Sequence, residues 1–268
     1  MYGAIIGDIM GSPYEFAGNK EYWFPLLYNR MRFTDDTVMT LAVADALMDS
    51  SDRDMLIAKM KDIGRRYPDS GYGNRFAVWL FSDDNKPYNS YGNGSAMRVS
   101  SVGWLFDTID DTRRTARMTA EVTHNHEEGI KGAEAVASAI FFARTGRTKH
   151  FIRTYIENNF GYDLHRSADE IRMDYRFDAT CQGSVPEAIT CFLESRNFED
   201  ALRTAISLGG DADTQGAITG SIAEAYYGVP DYMKEEFREY LPKEFADILD
   251  KFEIYRKKPK RQKMKWIF

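Results

Sequence analysis

The chain has 268 residues, 43% hydrophobic and 14% aromatic, enough to bury a large core as one domain or a tightly fused pair. A formal charge of -6 at pH 7 argues against nucleic-acid binding through a general positive field, and no apolar run approaches the ~20 residues of a membrane span. Two cysteines, Cys181 and Cys191, are too few for a disulfide framework and lack metal-type spacing, so both are expected as small buried residues in a reducing cytoplasm.

Gly3, Gly7 and Gly11 recur every fourth residue among apolar neighbours, which predicts a helix with a face open to close backbone approach. Asp8 lies beside that face, too early in the chain for a signal peptide. Glu15 follows in a Gly-Ser-Pro-Tyr-Glu-Phe stretch, either as an exposed loop carboxylate or as an acid carried over a metal site. Residues 17–33 lack periodicity and are rich in aromatics and Asn, as in a long loop that forms a lid. From Thr34 the pattern is helical: Thr34 suits an N-cap, Asp35 and Asp36 the first turn, and apolar residues recur at three- and four-residue steps. A second amphipathic helix is predicted over 53–66, closed by Tyr67-Pro68-Asp69-Ser70-Gly71, and a short apolar one over 74–82.

Asn89-Ser90-Tyr91-Gly92-Asn93-Gly94-Ser95 then opens a helical run. Small residues expose N–H groups there and the helix start adds its dipole, which suits a phosphate, while Tyr91 is placed to stack on a base. An ordinary Gly-rich turn is the competing explanation. A helix over 111–122 leads into Thr123-His124-Asn125-His126, where two histidines without a third nitrogen or sulfur ligand argue against zinc. An Ala-rich helix over 129–145 suits a crowded centre, and 158–182 is polar and irregular. Helices follow at about 185–195, with Pro186 near the first turn, at 198–208, 214–227, 231–239 and 243–256. The sequence thus divides into a helical domain over 1–255 and a basic tail over 256–268, read as a solvated end or a contact for an anionic partner. Hardly any segment alternates with period two, so the fold expected is all-α, and the protein a monomer.

Two acidic clusters stand at helix starts: Thr34-Asp35-Asp36-Thr37 and Gly209-Gly210-Asp211-Ala212-Asp213-Thr214. Taken singly, each is explained by capping. Asp211-Ala212-Asp213 also opens like a calcium-binding loop, but the twelfth position is Ile222 where a bidentate Glu is required. Taken together, four Asp and two Thr select hard cations such as Mg²⁺ or Mn²⁺, and that much negative charge calls for two ions. Such a pair fixes substrate hydroxyls and acidifies water. Residue types and spacing therefore point to a two-metal, phosphate-binding, all-helical hydrolase.

At these residues the chain resembles the ADP-ribosylglycohydrolase family, the relatives of dinitrogenase reductase-activating glycohydrolase. The resemblance runs almost end to end, through Gly7-Asp8 to Glu15-Phe16, Thr34 to Thr37, Gly92 to Arg98, Thr123-His124 and Gly209 to Thr214. It implies a compact single-domain orthogonal helical bundle that cleaves the bond between ribose C1″ and an ADP-ribosylated acceptor. It further implies that Thr34, Asp35, Asp36, Asp211, Asp213 and Thr214 hold two divalent cations, and that Glu15 is the acid of a mobile flap, in a catalytic set with Asp36 and Asp211. Ser90, Tyr91, Gly92, Asn93 and Gly94 match the loop for the diphosphate and adenine side, and His124 a histidine near the distal ribose. Asp69 aligns loosely with an acidic loop residue of arginine-specific members. The resemblance leaves the acceptor open, with 17–33 and 158–182 expected to contact it. An inactive ADP-ribose-binding protein and a two-metal nucleotide phosphohydrolase stand as the alternatives.

Overall fold

The glycine stripe fixes the centre of the computed structural model, which describes residues 1–50 and 52–257. Helix α1 (Tyr2–Gly11) runs antiparallel to α13 (Ala212–Tyr227) at backbone contact. A Cβ on Gly7 would lie 2.0 Å from the carbonyl oxygen of Gly216, one on Gly3 2.0 Å from that of Gly220, and one on Gly11 2.3 Å from that of Ala212. Only glycine permits this approach. It sets the end of α1 beside the start of α13, so the turn after Gly11, which carries Glu15, hangs over Asp211 and Asp213.

Around this pair, α2 (Asp35–Asp49) is almost wholly buried and is flanked by α3 (Arg53–Arg66) and α15 (Lys243–Lys257). The Ala-rich α8 (Glu127–Arg144) packs on α13 and carries Ala133, Ala135, Ala137 and Ala139 into the core. Small side chains let it take further neighbours: α5 (Gly94–Met97), α6 (Ser100–Leu105), α7 (Ile109–Glu121), α9 (Lys149–Phe160) and α11 (Cys181–Glu194). α4 (Asn74–Phe81), α10 (Ala168–Asp174), α12 (Phe198–Ile206) and α14 (Asp231–Arg238) complete an all-α architecture. Among the described residues the only β pairing is one antiparallel bridge between Gly92 and Thr180. Cys181 and Cys191 are free and buried, as their sparse usage implied.

Several features depart from the sequence pattern, among them α9, which forms where no helix was expected and is capped by Thr148. α10 lies inside the segment read as irregular, started by a capping box in which Ser167 and Glu170 bond each other's backbone. α11 begins at Cys181, earlier than expected, because Thr180 caps it by accepting from the Gly183 amide at 3.1 Å; Pro186 therefore sits inside the helix, past its first turn. The 17–33 loop is not free to act as a whole as a lid. Tyr22 bonds Asp200, Arg203 donates to the Phe24 carbonyl at 2.8 Å, and Lys20 reaches the carbonyls of Tyr175 and Leu208. At the other end, Arg256 and Lys257 belong to α15, and the basic residues after Lys257 lie outside the described residues.

Candidate active site

Asp8, fully buried on α1, organises the first acidic cluster. Its carboxylate accepts from the Thr34 amide at 2.9 Å and hydroxyl at 2.6 Å, and from the Thr37 amide at 3.0 Å and hydroxyl at 2.5 Å. Four donors from the start of α2 on one carboxylate clamp that helix end in place. Thr34 also caps α2, accepting from the Asp36 amide, and the Asp35 amide donates to the Ser70 carbonyl at 2.8 Å. Asp35 and Asp36 are thereby aimed at the start of α13.

Capping does not explain the second cluster. Asp211 stands at the N-cap position of α13 without a side-chain capping bond. Its carboxylate accepts instead from Asn93 Nδ2 at 2.7 Å, while the Thr214 hydroxyl donates to Asp36 at 3.2 Å and joins the two clusters. The Gly209-Gly210 pair has steric reasons: Gly209 has φ +73° against Lys20, and a Cβ on Gly210 would strike the Tyr175 ring at 2.3 Å. Oxygens of Glu15, Asp211 and Asp213 lie within 4.8 Å of one another.

Burial, then mutual repulsion with Asp213 and Asp8, pushes Asp35 and Asp36 well above the usual carboxylate range. Burial, then Asp211, does the same to Asp213. Burial raises Asp211 to about 6, and burial with Asp213 raises Glu15 to about 7. Among the described residues no Lys or Arg forms an ion pair with any of the five, and Asp36 Oδ1 is buried without a hydrogen-bond partner. Buried, unpaired carboxylates of one sign are the arrangement a divalent cation relieves. The donor set, all carboxylate and hydroxyl oxygen, fits a hard ion such as Mg²⁺ or Mn²⁺.

The cluster forms one end of a cleft of about 440 Å³. The other end is built by Ser90, Gly92, Asn93, Gly94, Arg98 and His124, with Arg75 and Tyr88 at its side. The loop backbone is tied from behind: the Asn93 amide donates to the Ala179 carbonyl at 2.8 Å, and the Cys181 amide to the Tyr91 carbonyl at 2.9 Å. Arg98 is fully buried and its guanidinium donates to the Thr119 carbonyl at 2.9 Å and the Thr123 hydroxyl at 2.8 Å. Above the cleft, Phe16 of the flap stacks on Phe177 with ring centres 5.5 Å apart, joining the flap to the 158–182 segment.

The expected residues therefore meet in one place, with four exceptions. Thr34 is buried outside the cleft lining, its hydroxyl donating to Asp8 at 2.6 Å and accepting from the Asp36 amide at 3.3 Å. Tyr91 is absent from the cleft lining; its ring is 46% exposed at the rim and meets the edge of His126 at 5.3 Å. Asp69 is exposed outside the lining, where Gly71 and Gly73 stand instead. No residue of 17–33 lines the cleft, whereas Phe177 and Ala179 of 158–182 do. His126 serves as the N-cap of α8, accepting from the Glu128 amide at 3.1 Å. Asp8, noted from sequence only as lying beside the glycine face, proves to organise the cluster; Arg75, Tyr88, Arg98, Thr123 and Phe177 were not singled out from sequence, although Arg98 and Thr123 lie within the motifs.

The family profile described as ADP-ribosylglycohydrolase matches residues 1–262. The chain belongs to the ADP-ribosylglycohydrolase family. Among its relatives, the ADP-ribosylhydrolase ARH3 of Homo sapiens is 26% identical, with 92% of this chain and 89% of that one covered. The uncharacterized protein YegU of Escherichia coli is 27% identical over 85% of this chain and 86% of its own. A solved structure titled "ADP-ribosylglycohydrolase-related protein complex" superposes with a TM-score of 0.64 at 23% identity, covering 94% of this chain and 98% of that one. That likeness establishes the fold, the family membership supports a hydrolase, and the structure itself supplies an acidic group, Glu15, Asp211 and Asp213, suited to a metal.

Proposed function

We propose that this member of the ADP-ribosylglycohydrolase family is a metal-dependent ADP-ribosyl hydrolase that cleaves the C1″ bond between ADP-ribose and an acceptor and releases free ADP-ribose. The observation that carries the proposal is the polarity of one cleft: five uncompensated carboxylates at one end, a glycine loop over a buried arginine at the other. A nucleotide sugar has the same polarity, with hydroxyls at the ribose and anionic oxygens at the diphosphate.

Thr34, Asp35, Asp36, Asp211, Asp213 and Thr214 would hold two divalent cations, Mg²⁺ or Mn²⁺. When bound, the ions supply positive charge that orients ribose hydroxyls and acidifies water. Ser90, Gly92, Asn93 and Gly94 take the diphosphate side, His124 stands near the distal ribose, and Tyr91 offers its exposed ring to the base at the rim. Departure of the acceptor leaves positive character on the ribose, as in glycoside hydrolysis generally. Asp36 and Asp211 face that charge. Glu15 is proposed to handle the proton, since the turn after α1 brings its half-buried carboxyl within 4.8 Å of Asp211 and Asp213 oxygens and burial is the main cause that raises it above the usual carboxylate range.

Product analysis tests the proposal. The full chain with Mg²⁺ or Mn²⁺ is offered defined ADP-ribosylated peptides, O-acetyl-ADP-ribose and ADP-ribosylated DNA. Free ADP-ribose from at least one substrate is expected. Binding without product would make the protein an ADP-ribose reader, and nucleoside monophosphate with phosphate would make it a phosphohydrolase.

A further inference from the structure

His124 does not sit in the cleft as a lone ring. Its Nδ1 is 2.7 Å from the hydroxyl of Thr123, and that hydroxyl accepts from Arg98 at 2.8 Å. Thr123 is fully buried and Arg98 fully buried. A guanidinium only donates, so the direction of the Arg98–Thr123 bond is fixed. Thr123 Oγ1 then has one hydrogen to place, and among the described residues His124 Nδ1 is its only acceptor. If Nδ1 carried the proton instead, a buried hydroxyl hydrogen would have no partner, an arrangement folded proteins avoid.

With Nδ1 accepting, the ring proton of the neutral imidazole is on Nε2. That nitrogen lies under the glycine loop: a Cβ would come within 3.2 Å of it on Gly94 and 3.6 Å on Gly92. Two glycines leave it uncovered, and among the described residues it has no hydrogen-bond partner. The charged and titratable groups around the ring are Arg98, Arg75 and Tyr88, the last with its ring centre 6.1 Å away. Burial first, then Arg98 and Arg75, hold His124 well below the usual histidine range, so it stays neutral. Among the described residues Arg98 has no carboxylate partner, and its Nε and Nη1 are buried without acceptors, so nothing there competes for its hold on Thr123 except the Thr119 carbonyl.

We infer that Arg98 is a positioning residue which, through Thr123, locks His124 as a neutral Nε2–H donor aimed at an acceptor oxygen of the bound ligand. This rests on the ligand reading above for the identity of the oxygen, but the tautomer itself is a property of the free protein. The lock makes this end of the cleft a fixed donor array: the imidazole cannot turn an acceptor lone pair toward an anionic ligand.

The test is nitrogen-15 NMR of the full chain with labelled histidines. There are only 4 in the sequence, and His124→Gln assigns the resonance of interest. At neutral pH, His124 should show a protonated Nε2 and a bare Nδ1. Thr123→Val, close in shape but without the hydroxyl, should lose that preference, and Thr123→Ser should keep it. Thr123→Val should also weaken ADP-ribose binding about fivefold, the scale of one hydrogen bond. A protonated Nδ1 in the wild type, or a Val variant with unchanged ring shifts, overturns the inference. Because the shifts are read without ligand, failure of ADP-ribose to bind would count against the proposed substrate and leave the tautomer result to decide this inference.

Discussion

The two ends of the cleft are built by opposite electrostatic strategies. The acidic end gathers Glu15, Asp35, Asp36, Asp211 and Asp213 without an ion pair among the described residues, so each carboxyl is pushed upward, first by burial; in Asp211 the hydrogen bonds from Asp213 and Asn93 hold back part of that rise. The loop end buries one cation, Arg98, and depresses it to about 10, still protonated at neutral pH, mainly through loss of water. Each end is unstable in the same sense, holding charge that wants a partner of opposite sign. The acidic end wants cations. The loop end wants an anion. Asn93 spans the two, its side chain on Asp211 and its amide on the Ala179 carbonyl, so the distance between them is fixed by the backbone. A ligand that satisfies both must carry hydroxyls or metals at one end and negative oxygens at the other.

The comparison is broken most severely at the acidic end. Asp211→Ala or Asp213→Ala should abolish turnover and remove at least one cation by calorimetry, while circular dichroism stays helical. Retained metal stoichiometry in both variants would show that these oxygens are not ligands. Glu15→Gln should lower kcat by ~10²–10⁴ with ADP-ribose still bound, the range for general acid–base help. Wild-type turnover in that variant rejects proton transfer by Glu15. A parallel fall in metal content would instead make it a ligand or gate.

At the loop end the effects are smaller. If the exposed Tyr91 ring stacks on adenine, Tyr91→Ala should weaken ADP-ribose binding by ~1–3 kcal/mol and Tyr91→Phe should be nearly silent. An unchanged dissociation constant for the Ala variant would move the base elsewhere in the cleft. The smallest effect concerns stability. The folded-state pKa of His124 lies below its unfolded value near 6.5, so acidification protonates the unfolded chain first and costs stability as pH falls below about 6.5. His124→Gln should therefore lose less melting temperature than the wild type between pH 7.5 and pH 5.5. Parallel curves would mean that the imidazole titrates normally.

The same contrast explains what the sequence made legible. The acidic end could be read because each cluster opens a helix, where Asp and Thr have a local reason to be noticed. The glycines every four residues foretold backbone contact, though only the structure supplies Gly216 and Gly220 as the other half. Asp8 shows in the sequence only as a carboxylate beside the glycine face; its role as a clamp stays hidden because its partners, Thr34 and Thr37, lie 26 and 29 residues on. Arg98 and Thr123 escaped for the same reason: their bond forms 25 residues apart between a helix and a turn. Phe177 has no periodic neighbours, and its role as a wall exists only once Phe16 is brought across from the flap. By contrast, α9 and α10 carry local signals. Thr148 caps the first, with Ile152, Ile156 and Phe160 at helical spacing, and the Ser167–Glu170 capping box starts the second.

The central claim, that this cleft hydrolyses an ADP-ribosyl bond only with cations at its acidic end, is tested most directly by one titration. The full chain is stripped with EDTA, supplied with the ADP-ribosylated substrate that the product panel identifies, and assayed as Mg²⁺ or Mn²⁺ is restored. Free ADP-ribose should be absent without metal and appear with saturation by divalent ion. Full release of ADP-ribose in metal-free buffer would contradict the account.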